Sequence, residues 1–159
     1  MTRTQALPAL IIFLGICFGV EMLTAQLTTP NLSGWYNELN KPEWTPPHWV
    51  FGPVWTSLYA MMAVAAWLVW HRGSLLPTSP PLLLFFLQLV LNALWSALFF
   101  AHQQPGLAFF EIVLLWFAIL ATIIFFWRIE RLAGLLLIPY LAWVAFTAAL
   151  NFTIWQMNS

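Results

Sequence analysis

Ala6-Leu-Pro-Ala-Leu-Ile-Ile-Phe-Leu-Gly-Ile-Cys-Phe-Gly-Val-Glu-Met-Leu-Thr-Ala-Gln-Leu27 decides the fold of this chain, because its one formal charge is Glu21. A membrane helix needs about 20 mostly apolar residues. This stretch meets that length, and the pattern recurs at 47–70, 80–101, 106–127 and 132–155. The whole chain is 62% hydrophobic and 6% charged, against about 25% charged in an ordinary globular domain. A chain of 159 residues has too little interior to hide that surplus from water, so a bilayer must take it. Nothing between the spans is long enough for a separate domain. The expectation is one all-α membrane domain over residues 1–159, a five-transmembrane-helix bundle with a long structured loop between the first two spans.

The first span does not read as a secretory leader. Pro8 comes early, Glu21 late, and no small-x-small cleavage site follows a short apolar core. Cys17 inside it is a lone cysteine and reads as a small buried apolar residue. Five Lys plus Arg balance five Asp plus Glu, which leaves no basic patch for nucleic acid. There is no glycine-rich phosphate loop and no Cys/His cluster with metal-ligand spacing. His48, His71 and His102 fall near span ends and read as interfacial.

Charge placement sets an orientation. Arg3, Arg72, Arg128 and Arg131 all fall on one side of a five-span chain, and Lys41 alone on the other. Basic residues favour the cytoplasm, so the N-terminus is expected there and the loop at 28–46 on the opposite side. The connections at 71–79 (with Gly73, Ser74, Pro77 and Ser79), 102–105 and 128–131 are short, and predict antiparallel neighbours packed side by side. The first loop carries Trp35, Tyr36, Leu39 and Trp44 among turn formers, which suits either an interfacial anchor or a lid over the bundle. Thr45-Pro46-Pro47 reads as a helix start with Thr45 as cap. Pro53 and Pro139 lie inside spans, where each removes a backbone hydrogen bond and favours a kink.

Polar side chains pool in the half of the bundle nearest that loop. Tyr140, Trp143, Thr147 and Asn151 recur at offsets 0, 3, 7 and 11, and Gln88, Asn92, Trp95 and Phe99 at 0, 4, 7 and 11. At about 100° per residue each set forms one stripe. Trp55 and Tyr59 form an i,i+4 pair on the second span. Polar groups on membrane helices turn toward the bundle interior. Singly such residues serve as packing glue; pooled beneath an aromatic loop they predict a cavity for a flat, largely apolar ligand. Glu21 and Glu111 fall near the outer interface, where their cost is reduced; each suits either a site for a cationic group or a proton, or a protonated carboxyl hydrogen-bonded to a neighbouring helix, and the second is the favoured reading. Small-residue patches at Ala63, Ala65 and Ala66, and at Ala145, Ala148 and Ala149, allow close helix approach within or between chains.

Trp35-Tyr36, then Lys41-Pro42-Glu43-Trp44-Thr45-Pro46-Pro47, Phe51, Trp55, Leu58-Tyr59, Gln88-Leu-Val-Leu-Asn92-Ala-Leu-Trp95, Phe99-Phe100, Pro139-Tyr140-Leu-Ala-Trp143 and Leu150-Asn151-Phe152 together resemble the TspO/MBR family. These are the tryptophan-rich sensory proteins related to the mitochondrial translocator protein, the peripheral-type benzodiazepine receptor. The resemblance covers nearly the whole chain. It implies a five-helix bundle, a homodimer, and a pocket under the first loop for a tetrapyrrole such as protoporphyrin IX or haem, bound as ligand with no cofactor. It implies that Trp55, Asn92, Tyr140 and Trp143 line that pocket and that Tyr36 and Trp44 sit in its lid. Tyr59, Trp95, Thr147 and Asn151 join the candidate ligand-binding set from the stripes. Trp55 and Trp143 match tryptophans linked in bacterial relatives to light-dependent porphyrin degradation, which makes them the candidate catalytic pair.

Two departures stand out. Thr147 replaces the alanine of many relatives. Leu150-Asn-Phe152-Thr-Ile-Trp-Gln156 lacks both the tyrosine and the basic residue of the C-terminal sterol motif of mitochondrial members, so no sterol binding is expected and a bacterial cell membrane is the expected location. The leading reading is a porphyrin-binding sensor or regulator; the rivals are a light-dependent porphyrin-degrading enzyme and a porphyrin transporter. A transporter is disfavoured because no inverted repeat is visible and five spans do not divide into equal halves.

Overall fold

A computed structural model describes residues 3–73 and 76–159. Ser74 of the second connection and the side chain of Arg3 lie outside the described residues. Helix α1 runs Arg3–Leu32, the short α2 Trp35–Glu38, and α3 His48–Gly73. Helix α4 runs Pro80–Ser96 and passes into a π-turn at Ala97–Ala101, followed by α5 at Pro105–Ile129 and α6 at Arg131–Met157. Five of these helices are long and apolar enough to cross a membrane, as the composition predicts.

Burial is inverted relative to a water-soluble protein. Phe110, Val90 and Leu7 are each more than 60% exposed, while Gln88, Asn92, Thr122 and Asn151 are buried. Lipid accepts the first set, and the second finds hydrogen-bond partners only inside. The long helices close a ring in the order α1, α3, α6, α5, α4 and back to α1. Ala63, Ala65 and Ala66 are fully buried in it, so the small-residue patch of α3 serves packing within the chain. Ala145 and Ala149 face outward.

Three sequence expectations need correction. First, α3 and α4 barely touch despite their short connection. The six residues between Gly73 and Pro80 can reach about 20 Å, enough to pass a helix about 10 Å wide. Second, α1 does not stop at residue 27 but continues through Pro30 to Leu32. Asn31 Nδ2 hydrogen-bonds the Leu27 carbonyl at 3.2 Å, and Pro30 lies in the last turn, so its missing N–H and the crowding of its ring disturb little of the helix beyond it. Third, Thr45 does not cap α3. Its hydroxyl donates to the Pro42 carbonyl at 2.7 Å and the helix begins at His48, because each proline pushes the residue before it out of the helical region.

The two ends are tied differently. Arg72 Nε lies 3.1 Å from Glu130 Oε2, joining the end of α3 to the α5–α6 link. Asn158 exchanges hydrogen bonds of 3.0 and 2.8 Å with the backbone of Asn40, holding the C-terminus against the first loop. Loop 1 and the C-terminus therefore share one end of the bundle, as five passes require.

Candidate functional site

A cavity of about 290 Å³ lies in the loop-1 end of the ring, walled by α1, α3, the α4–π-turn segment and α6 and roofed by α2. Its aromatic wall comprises Trp55, Tyr59, Trp95, Phe99 and Phe100. The i,i+4 pair Trp55–Tyr59 packs at 5.9 Å between ring centroids. Trp95 stacks on Phe99 at 5.4 Å and donates from Nε1 to Asn151 Oδ1 at 3.0 Å. Asn151 Nδ2 in turn donates to the Pro105 carbonyl at 2.7 Å. Thr147 also lines the space while its hydroxyl donates back to the Trp143 carbonyl at 2.8 Å.

The floor is a buried polar chain. Tyr59 donates to Asn92 Oδ1 at 3.1 Å, Asn92 Nδ2 donates to the Tyr140 hydroxyl at 2.7 Å, and Tyr140 donates to Gln88 Oε1 at 2.7 Å. Three helices, α3, α4 and α6, are thereby fixed at one depth. Asn92, Tyr140 and Gln88 each both accept and donate, which is what makes such a network tolerable in a low-dielectric interior.

The π-turn shapes the far wall. His102 N–H reaches back to the Ala97 carbonyl at 2.8 Å, an i→i+5 bond. Its wider turn reduces the angle between successive residues, so adjacent Phe99 and Phe100 both face inward. Gln103 takes a φ of 55° to end the turn before Pro105 starts α5. The roof is Tyr36, packed against His48 at 5.4 Å and Phe100 at 5.6 Å. Lys41 Nζ clasps the Tyr36, Leu39 and Asn37 carbonyls at 2.8, 3.1 and 3.3 Å and sits 4.9 Å from the Tyr36 ring centroid. The Tyr36 carbonyl also accepts the Leu39 N–H at 3.3 Å, so the ammonium reinforces the end of a helix too short to pair its own last carbonyls. Burial pushes the Lys41 ammonium below its usual range and the Tyr36 phenol up to about 12.

That last shift gives a pH prediction. Because the folded phenol titrates above its ordinary value of 10.0, the roof's stability is complete below that value and is lost as pH climbs toward about 12. The stability of residues 36–41 against local opening, read as amide protection relative to the base-catalysed intrinsic exchange rate, should therefore fall through this window, and Tyr36→Phe should lessen that fall.

Of the sequence-derived candidates, Tyr36, Trp55, Tyr59, Asn92, Trp95, Thr147 and Asn151 stand in the cavity wall. Three do not. Trp143 lies behind Trp55, at 6.5 Å and 87°, and behind Phe51, at 5.9 Å. The reason is angular: at 3.6 residues per turn Trp143 falls about 60° off the line joining Tyr140, Thr147 and Asn151, at the edge of its stripe. Its Nε1 is buried without a partner among the described residues. Tyr140 is on the stripe but about 10 Å deeper than Thr147, below the floor that Tyr59 and Asn92 close. Trp44 is no lid residue; it is 49% exposed and meets Phe146 edge-on at 5.6 Å, outside the cavity, in the position of an interfacial anchor.

Sequence reasoning missed the wall supplied by α1. Glu21, Thr24 and Thr28 line the cavity at offsets 0, 3 and 7, a helical stripe hidden by ending the first span at residue 27. With α1 extended, Glu21 lies about 16 Å below the helix end. Its carboxylate accepts a hydrogen bond from Thr56 Oγ1 on α3. Glu111 behaves otherwise: it is buried on α5 and neither carboxylate oxygen has a partner among the described residues, against the expected bond to a neighbouring helix. Trp95 Nε1 and Asn151 Nδ2, on the two helices that flank α5, are committed to each other and to the Pro105 carbonyl.

Known proteins align along this whole framework. Residues 13–156 match the family model described as the TspO/MBR family. The Tryptophan-rich protein TspO of Chlorobaculum tepidum is 42% identical over 149 residues, covering 91% of this chain and 92% of that one. The human Translocator protein is 44% identical over 126 residues, covering 78% and 75%. The Tryptophan-rich protein TspO of Archaeoglobus fulgidus is 37% identical over the full length of both chains. With the match reaching from the middle of α1 to the end of α6, this chain belongs to the TspO/MBR family.

Proposed function

We propose that this protein is a membrane-embedded sensor or regulator that binds a tetrapyrrole, such as protoporphyrin IX or haem, in the cavity beneath α2, with the N-terminus in the cytoplasm of a bacterial cell. The single observation that carries this reading is the convergence of Trp55, Tyr59, Trp95, Phe99 and Phe100 on one roofed space. Flat apolar ligands are held by such ring surfaces, with a few polar groups to orient them. Asn92, Thr147 and Asn151 supply those groups. At about 290 Å³ the space is at the small end for organic ligands, so a macrocycle would keep part of its edge outside it. Gly52 is in the lining, and a Cβ there would meet nothing within 4 Å.

Protoporphyrin IX added to the protein in lipid nanodiscs should quench tryptophan fluorescence saturably, at about one ligand per chain. Linear quenching equal to that of protein-free nanodiscs with free tryptophan would overturn the reading.

The Trp55–Trp143 edge-to-face pair favours a second reading, light-dependent porphyrin degradation. Trp55 touches the ligand space and Trp143 extends the indole path away from it. If this is the activity, illuminated bound porphyrin should bleach several-fold more slowly in the Trp55→Phe/Trp143→Phe protein than in the wild type. Equal rates at equal occupancy would exclude it.

A further inference from the structure

Glu21 is a half-buried carboxyl residue in the lining of an aromatic cavity, with no cation paired to it among the described residues. It lines the space from the α1 side and Thr56 is its hydrogen-bond donor across the α1–α3 seam. The one ion pair among the described residues, Arg72 with Glu130, is at the other end of the bundle. A half-buried carboxylate among apolar helices is costly unless a partner offsets the cost; among the described residues the partner is a hydroxyl and not a cation. Thr24 and Thr28 continue the same polar wall, while Trp55, Tyr59 and Trp95 face it. Ring faces attract a cation through their quadrupole, and a carboxylate binds an ammonium or amidinium by short charge-assisted hydrogen bonds. The two together make a receptor for a positively charged nitrogen on a flat body.

We propose that Glu21 is a ligand-recognition residue that selects flat aromatic ligands bearing a cationic or strongly hydrogen-bond-donating nitrogen on the edge facing α1. The proposal rests on the tetrapyrrole reading only in requiring that the cavity accept a flat macrocycle. It also sets an orientation: carboxylate side chains of a tetrapyrrole are repelled from Glu21 and must point away from the α1 wall.

The test compares three porphyrins in zwitterionic nanodiscs: protoporphyrin IX, its neutral dimethyl ester, and its bis-amide with ethylenediamine, which carries two ammonium groups. Wild-type protein should bind the ammonium form most tightly, and the ammonium form should displace the dicarboxylate in competition. In Glu21→Gln, which keeps the side-chain shape and an acceptor for Thr56, affinity for the ammonium form should fall about tenfold, the difference between a charge-assisted and a neutral hydrogen bond. The dimethyl ester should bind both proteins equally and so reports an intact fold. Thr56→Val, which keeps the carboxylate, should retain the wild-type ranking. If all three porphyrins bind and the ranking is the same with Glu21→Gln, the assignment of Glu21 is wrong while the tetrapyrrole reading stands. If Glu21→Gln does not fold, wild-type competition decides: failure of the ammonium form to displace the dicarboxylate overturns the assignment. If none of the three binds, both readings fall together.

Discussion

Trp55→Ala should weaken protoporphyrin IX binding by about tenfold or more, and Trp143→Ala by no more than about threefold. One ring stacked on a flat ligand contributes about 1–3 kcal/mol, and about 1.4 kcal/mol is a factor of ten. Trp55 is the indole that presents a surface to the cavity, so its truncation removes that contact outright. Trp143 touches Trp55 and Phe51 rather than the space. Its loss acts only by letting Trp55 relax, since a supporting ring 6.5 Å away orients its neighbour without meeting the ligand. Fluorescence titration of both variants in nanodiscs measures the two constants. Equal losses would place the ligand between the two indoles and contradict the geometry described above.

Asn92→Leu should be the most destabilising single change in the cavity floor. The substitution is close to isosteric, so packing is nearly retained and the effect is chiefly polar. It strips the acceptor from the Tyr59 hydroxyl and the donor from the Tyr140 hydroxyl, both on residues that are about 1% exposed. Two scales compete here. An unsatisfied buried group in a protein interior costs about 1–3 kcal/mol, whereas interhelical hydrogen bonds in a membrane protein average only about 0.6 kcal/mol, because the inserted but unpacked helix finds other partners. The membrane scale governs a bundle in lipid, so two lost bonds amount to about 1 kcal/mol. Thermal unfolding in a mild detergent should register this as a fall of about 2–5 °C, at about 2–4 °C per kcal/mol for a chain of this size. The double variant Asn92→Leu/Tyr59→Phe should recover part of the loss, because removing both partners of a bond leaves no orphan. No recovery would mean that Asn92 acts through packing alone.

The extent to which the site could be read in advance differs from wall to wall. Stripes at helical spacing marked Asn92, Trp95, Thr147 and Asn151 as inward, because their angles on a helix leave them no other face with partners. Trp143 failed by the same arithmetic, since an offset of 3 is the worst fit in its stripe. Tyr140 failed on depth, which spacing along one helix does not register. The α1 wall was hidden because Thr28-Thr29-Pro30 resembles a turn, and only packing of α1 against α3 and α4 carries the helix past Pro30. Phe99 and Phe100 both line the cavity, and the π-turn at Ala97–Ala101, which narrows the angle between successive residues, is a local departure that helical spacing does not announce.

Composition and segment length by themselves determined that five helices cross a bilayer, because solvation of an apolar helix surface depends on its residues and hardly at all on its neighbours. Charge spacing likewise determined which connections share an end, since each pass reverses the chain. Tertiary structure alone decided the ring order, the separation of α3 from α4, the placing of Glu21 in the cavity and the removal of Trp143 from it. Those features depend on which faces meet at which depth, and in lipid that choice is made by packing and by buried hydrogen bonds between helices, not by the hydrophobicity of any one of them.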